Sequence, residues 1–202
     1  MFKTLANIAS YFFHPLLIPT FGLIIIFNSG TYLSCMSFEG QRAIYFIVFI
    51  TTFILPLSVI PFFIYLNVIK NIFIDNNKER IIPLVVTFIF YMFSYYILNN
   101  IDVPKVIQIF ILSAAITILI ATIITYFWKI STHMIGVGGL IGVVLIITFR
   151  LMVNVDIITI LLILIAGFVG TSRLYLKAHN SAQVYTGFAL GLFTVCSTFY
   201  FF

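Results

Sequence analysis

The sequence predicts an all-α, polytopic transmembrane helical bundle: six full spans, preceded by one doubtful apolar segment. Three observations lead there. Hydrophobic residues make up 63% of the 202 residues and charged ones 7%, with a mean hydropathy of +1.24, more apolar surface than a water-soluble fold of this length can bury. The apolar runs are unbroken, residues 157–169 holding no charge, where barrel strands would alternate apolar and polar positions. The many Ile, Val and Thr residues favour strands in water, but in lipid each segment must satisfy its own backbone hydrogen bonds, which favours helix.

The first run, 11–27, is the doubtful element. It contains His14, Pro15 and Pro19, and its clean stretch after Pro15 is about a dozen residues, where a span takes about 20. It reads as re-entrant or interfacial. One Lys precedes it and no small-x-small site follows before Asn28-Ser29-Gly30, so it does not read as a cleaved signal peptide. The expected full spans are 42–69, 82–99, 106–128, 134–149, 157–171 and 183–202. The chain is one integral membrane domain over 1–202, with an N-terminal apolar segment and loop at 1–41 and a motif-bearing core at 78–191. The expected location is multi-pass, in a bacterial inner membrane.

A formal charge of +5 and a pI near 9.3 do not signal nucleic acid, because the basic residues are scattered singly over loops instead of clustered on a face. Cys35 and Cys196 make neither a disulfide framework nor a metal knuckle. No ionisable residue sits mid-span, where a transporter would place its coupling site.

Function therefore rests on three polar islands: Lys78-Glu79-Arg80, Ser131-Thr132-His133, and Ser172-Arg173 with His179. Two spans separate each island from the next, so all three lie at one end of the bundle. Lys3, Lys70, Lys78, Arg80, Lys129, Arg173 and Lys177 share that end if the first run spans, against Arg42, Lys105 and Arg150 at the other. The positive-inside rule would then turn the islands to the cytoplasm, but phosphate-holding cations weaken that count. If the first run does not span, Lys3 changes sides.

Arg173 offers a planar fork of donors suited to phosphate oxygens, and Lys78 and Arg80 add positive charge. Ser131 and Thr132 stand where a helix begins, and helix N-termini present N–H groups and a favourable dipole to anions. Two histidines, His133 and His179, facing one anion can divide the labour of attack and proton donation. No carboxylate or His/Cys cluster suggests a metal, and no cofactor is expected. Taken singly, Lys105, Lys129 and Arg150 read as interfacial anchors, and His14 as a residue of a Pro-flanked bend.

At these residues the chain resembles the type 2 phosphatidic acid phosphatase superfamily, whose motifs run K-x6-R-P, P-S-G-H and S-R-x5-H-x3-D. Ser172-Arg173 and His179 match the third motif up to its last position. Ser131-Thr132-His133 matches the second, with Thr for Gly and Ile130 for Pro. The resemblance implies a helical membrane enzyme that hydrolyses a lipid phosphate or diphosphate: phosphatidic acid, phosphatidylglycerol phosphate, a polyprenyl diphosphate or phosphorylated lipid A. It implies His179 as nucleophile and His133 as general acid, with Arg173, Ser172, Ser131, Thr132, Lys78 and Arg80 around the phosphate. In the family the motifs usually face outwards, which with a re-entrant first run would leave both termini in the cytoplasm.

Lys78-Glu79-Arg80-Ile81-Ile82-Pro83 keeps the first motif's residue types but not its spacing. Two apolar runs separate it from the second motif, where the family usually has one loop. The third motif's terminal Asp is Gln183, which can accept a hydrogen bond from His179 but brings no charge. That departure keeps a second reading open, a catalytically silent lipid-phosphate-binding or scaffold protein. Gly138 with Gly142, and Gly187 with Gly191, form small-xxx-small pairs that let helices approach closely.

Overall fold

The computed structural model describes residues 2–69 and 77–202, the side chains of 77 and 78 excepted. Lys70 and the Lys78 side chain, both counted above among the motif-end cations, lie outside the described residues. Among the described residues all regular structure is helical: α1 (Phe2–Phe12), α2 (Ile18–Phe27), α3 (Phe38–Phe49), α4 (Leu55–Tyr65), α5 (Asn77–Asn99), α6 (Lys105–Phe127), α7 (Thr132–Arg150), α8 (Asp156–Tyr175) and α9 (Ser181–Phe201). Six stretches are long and apolar enough to cross a membrane: Phe38–Tyr65, Glu79–Asn99, Lys105–Phe127, Thr132–Arg150, Asp156–Tyr175 and Ser181–Phe201. The protein is an all-α polytopic membrane bundle.

The first apolar segment is broken at Pro15. Pro15 has no N–H to give the carbonyl of Tyr11 and disfavours helix at the residue before it. His14 accordingly turns extended, at φ −61 and ψ 135. The chain recovers at once. The His14 side chain caps a short 3₁₀ turn, Pro15–Leu17, by accepting the Leu16 N–H, and α2 follows at a bend of only 41°. His14 lies beside His133 at the motif end, ring centroids 6.0 Å apart. Phe27 lies against Tyr45, near the start of α3, at 5.2 Å. These contacts favour a broken span over a re-entrant loop, the two forms that such a bent pair can take. Single cysteines at position 3 and beside Lys177 are expected to label from the same side of a sealed vesicle; labelling from opposite sides would restore the re-entrant reading.

The next span starts earlier than expected because Ser37 accepts the Gly40 N–H and caps α3. It continues through a π turn, Ile50–Ile54, into α4. Pro56 cannot donate to the carbonyl of Thr52, and the Thr51 and Thr52 hydroxyls donate back to Ile47 and Val48 instead. α5 and α6 form a hairpin whose turn is held by the buried Gln108, its Nε2 donating to the Val103 carbonyl at 2.9 Å.

The pairing that positions the site is α7 on α9. A Cβ built on Gly138 would meet the Phe188 carbonyl, and one on Gly191 would meet the Ile135 carbonyl. One on Gly187 would lie 2.7 Å from the Ser131 carbonyl. Both small-xxx-small pairs thus bring backbone against backbone, where dispersion and weak Cα–H···O contacts replace the hydrophobic drive that lipid removes. The obstacle at Gly191 is backbone and cannot rotate away. Gly191→Ala is expected to destabilise the bundle by about 1–3 kcal/mol, read as a lower midpoint of thermal unfolding in detergent, while Gly167→Ala, in open space, should change little.

Candidate functional site

α8 reaches further than the sequence suggested, so Ser172 and Arg173 lie in its last turns and not in a loop. It ends in a Schellman arrangement: Lys177 takes φ 51, the Ala178 N–H donates to the Arg173 carbonyl and the Lys177 N–H to Leu174. That reversal carries the chain through His179 into α9. There Asn180 and Gln183 form a reciprocal capping box.

Gln183 Oε1 accepts two hydrogen bonds, from the Asn180 N–H at 3.2 Å and from His179 Nδ1 at 3.0 Å. A main-chain N–H can only donate, so the atom it meets is the amide oxygen. The proton on His179 is thereby fixed at Nδ1, which leaves the Nε2 lone pair free for chemistry. His179 is buried. Burial lowers its pKa to about 4, helped by the charges of Arg80, Lys129 and Arg173 and opposed by the Gln183 hydrogen bond. At neutral pH it is the uncharged base.

His133 sits in the first turn of α7, with both of its ring nitrogens engaged. Nε2 is 3.1 Å from the Ser10 carbonyl, and Nδ1 is 3.4 Å from Arg173 Nη1. The carbonyl only accepts and the guanidinium only donates, so His133 carries its proton on Nε2. Arg173 and His179 both lie within electrostatic reach of it. Ser131 joins the two motifs from below: its N–H donates to the Gln183 main-chain carbonyl at 3.3 Å. Its hydroxyl is buried without a partner, as is Arg173 Nε, although Ser131 stands at the N-cap of α7 where its side chain could have bonded the helix.

The structure therefore brings together Arg173, His133, His179, Gln183 and Ser131, with Arg80 near enough to act on both Arg173 and His179. It does not bring in Ser172, whose hydroxyl is spent on the Phe168 carbonyl of its own helix at 2.8 Å. Thr132 lines a cavity of about 40 Å³ shared with Pro15, Ile18, Tyr91, Thr117 and Gly136, on the interior side of the site. Among the described residues no three His, Cys, Asp or Glu side chains are grouped to hold a metal ion.

Two residues read as bland in the sequence belong here. Lys129 acts electrostatically on His179, and His14 stacks edge-on against His133. For His14 a signal existed: if the first run crosses the bundle, counting places its Pro break at the motif end. For Lys129 the signal was its position two residues before Ser131. The chain matches no protein-family model, no curated protein and no solved structure.

Proposed function

We propose that this protein is a membrane phosphatase that hydrolyses a lipid phosphate or diphosphate through a phosphohistidine, as a divergent relative of the type 2 phosphatidic acid phosphatases. The observation that carries the reading is one neutral, oriented imidazole, His179, whose Nε2 is left unprotonated by Gln183, with the cations Arg173, Arg80 and Lys129 within electrostatic reach of it. The unpartnered Ser131 hydroxyl and Arg173 Nε are further donors for phosphate oxygens. In the proposed reaction His179 Nε2 attacks phosphorus, His133 protonates the leaving oxygen, and water then releases phosphate from His179. A substrate with a hydrocarbon part suits a site at the end of a membrane bundle, and the proposed setting is a bacterial inner membrane.

The test is phosphate release from a panel of lipid phosphates by purified protein in detergent, with EDTA present. Release is expected. Arg173→Lys should lower kcat/KM by roughly tenfold to a hundredfold, since charge-assisted bonds of the planar fork contribute about 1.5–3 kcal/mol each and an ammonium cannot reproduce the fork. Absence of release from every lipid would reject the phosphatase. It would favour the second reading, a silent lipid-phosphate-binding protein, for which the uncharged Gln183 amide on His179 speaks.

A further inference from the structure

We infer that the N-terminal helix is part of the site: the main-chain carbonyl of Ser10, at the C-terminal end of α1, orients His133 as Gln183 orients His179. This rests on the phosphatase reading above. No motif of the resembled family contains the group.

The local sequence explains why that carbonyl is available. The last four carbonyls of a helix have no partner within it. The Phe13 N–H still closes on Ala9 at 2.9 Å, but His14, whose N–H would serve Ser10, has turned extended ahead of Pro15. His133, distant by 123 positions, supplies the missing donor at 3.1 Å. The negative end of the α1 dipole then lies at the imidazole. The contact also decides which atom faces the anion. With Nε2–H held by Ser10, Nδ1 is the nitrogen turned towards Arg173. The groups facing His133 are thus Ser10 from α1, His14 from the break, Arg173 from α8 and His179 from the turn before α9.

The chemistry balances on these atoms. As the bond from His179 Nε2 to phosphorus forms and the bond to the leaving oxygen breaks, the His133 cation gives its Nδ1 proton to that oxygen. It becomes the neutral ring with Nε2–H on Ser10, the state in the structure. Water then attacks phosphorus and passes a proton to His133 Nδ1, while the phosphorus–nitrogen bond returns its electron pair to His179. Arg173 leaves Nδ1 for the phosphate oxygens in the first step. Ser10 is a positioning group throughout.

Two variants perturb the carbonyl. Replacing Tyr11 by its α-hydroxy analogue turns the Ser10–Tyr11 amide into an ester, whose carbonyl is the weaker acceptor. Pro15→Ala restores an N–H, lets α1 continue and offers the Ser10 carbonyl to the His14 N–H. Each is assayed with a lipid monophosphate and with p-nitrophenyl phosphate, whose leaving oxygen needs no proton. With the lipid, kcat should fall by roughly tenfold or more, part of the 10²–10⁴ that general acid catalysis contributes. KM, and the rate of the initial p-nitrophenol burst with the aryl ester (the one step that needs no His133 proton), should hardly change. An equal fall in the lipid rate and the aryl-ester burst, or no fall in either variant, overturns the inference. Should the wild-type protein hydrolyse neither ester, the phosphatase reading fails on its own account. Ring-nitrogen spectra of histidine-labelled protein, with and without inorganic phosphate, then decide the orienting role. A single Nε2–H tautomer at His133 that is lost in the ester variant supports it, and an unchanged tautomer overturns it.

Discussion

His179→Ala is expected to reduce phosphate release to background, a loss of about 10⁴-fold or more, because the proposed reaction has no other nucleophile to take its place. The loss should be chemical and not structural. The α8–α9 turn is held by main-chain bonds to Arg173 and Leu174 and by the Asn180–Gln183 capping box, none of which involves the imidazole. Thermal unfolding in detergent should therefore move little. In the wild-type protein, brief exposure to a ³²P-labelled lipid phosphate should leave label that is stable in base and labile in acid, as a phosphorus–nitrogen bond is. The His179 pKa near 4 sets the pH dependence. Above it the ring holds its lone pair, and below it protonation removes the nucleophile. The acid limb of kcat/KM for the free enzyme should fall near pH 4, well below the usual histidine range. Full activity in His179→Ala, or an acid limb at the ordinary histidine value, would rule out the assignment.

Substitutions at Gln183 should move the rate in both directions. Gln183 is the third residue of α9, and its amide oxygen reaches back to two donors. A carboxylate in the same place would stabilise the imidazolium-like charge that develops on His179 as it attacks. Gln183→Glu preserves the reach to both donors and should raise turnover by one or more powers of ten if that charge is the missing element; in serine proteases removal of the comparable charge costs roughly 10⁴. It should also raise the acid limb, since an adjacent anion favours the protonated ring. Gln183→Asp matches the family pattern but is one methylene shorter. It cannot serve both donors and should lose about 1 kcal/mol of capping, so its gain should be smaller. Gln183→Leu leaves the His179 tautomer unspecified and should slow the reaction. A rate that falls in Gln183→Glu, with the fold intact, would show that the site is built around a neutral acceptor.

The spans were legible because lipid imposes one demand, some 20 apolar residues with every backbone bond satisfied internally. The nearness of Arg173, His179 and Gln183 was legible because their spacing bridges the end of one helix and the cap of the next. What escaped the sequence has physical reasons as well. The helical state of Arg173 depends on the Schellman turn at Lys177, a residue that rarely takes a positive φ. Ser172, a motif residue, proved to be spent on its own helix. His14 and the Ser10 carbonyl enter the site only because a proline break lies beside α7 in space. Main-chain atoms leave no signature in a side-chain pattern.

The glycine contact of α9 with α7 bears finally on how the protein is made. Of the six spans α9 has the lowest mean hydropathy, 1.4 against 2.0 to 2.6 for the others, and so the weakest tendency to leave the insertion machinery for lipid unaided. Its polar cost is already reduced, Thr194 and Thr198 donating to carbonyls of their own helix. The remaining help comes from α7, synthesised earlier and offering backbone surface at Ile135 and Ser131 to Gly191 and Gly187. Insertion of α9 and its docking on α7 are therefore expected to be coupled. His179, at the threshold of α9, meets Gln183 within the cap of its own helix, but comes near His133 on α7 only once that docking is made. A nascent chain caught before it would hold the two imidazoles on separate helices, with no shared site between them.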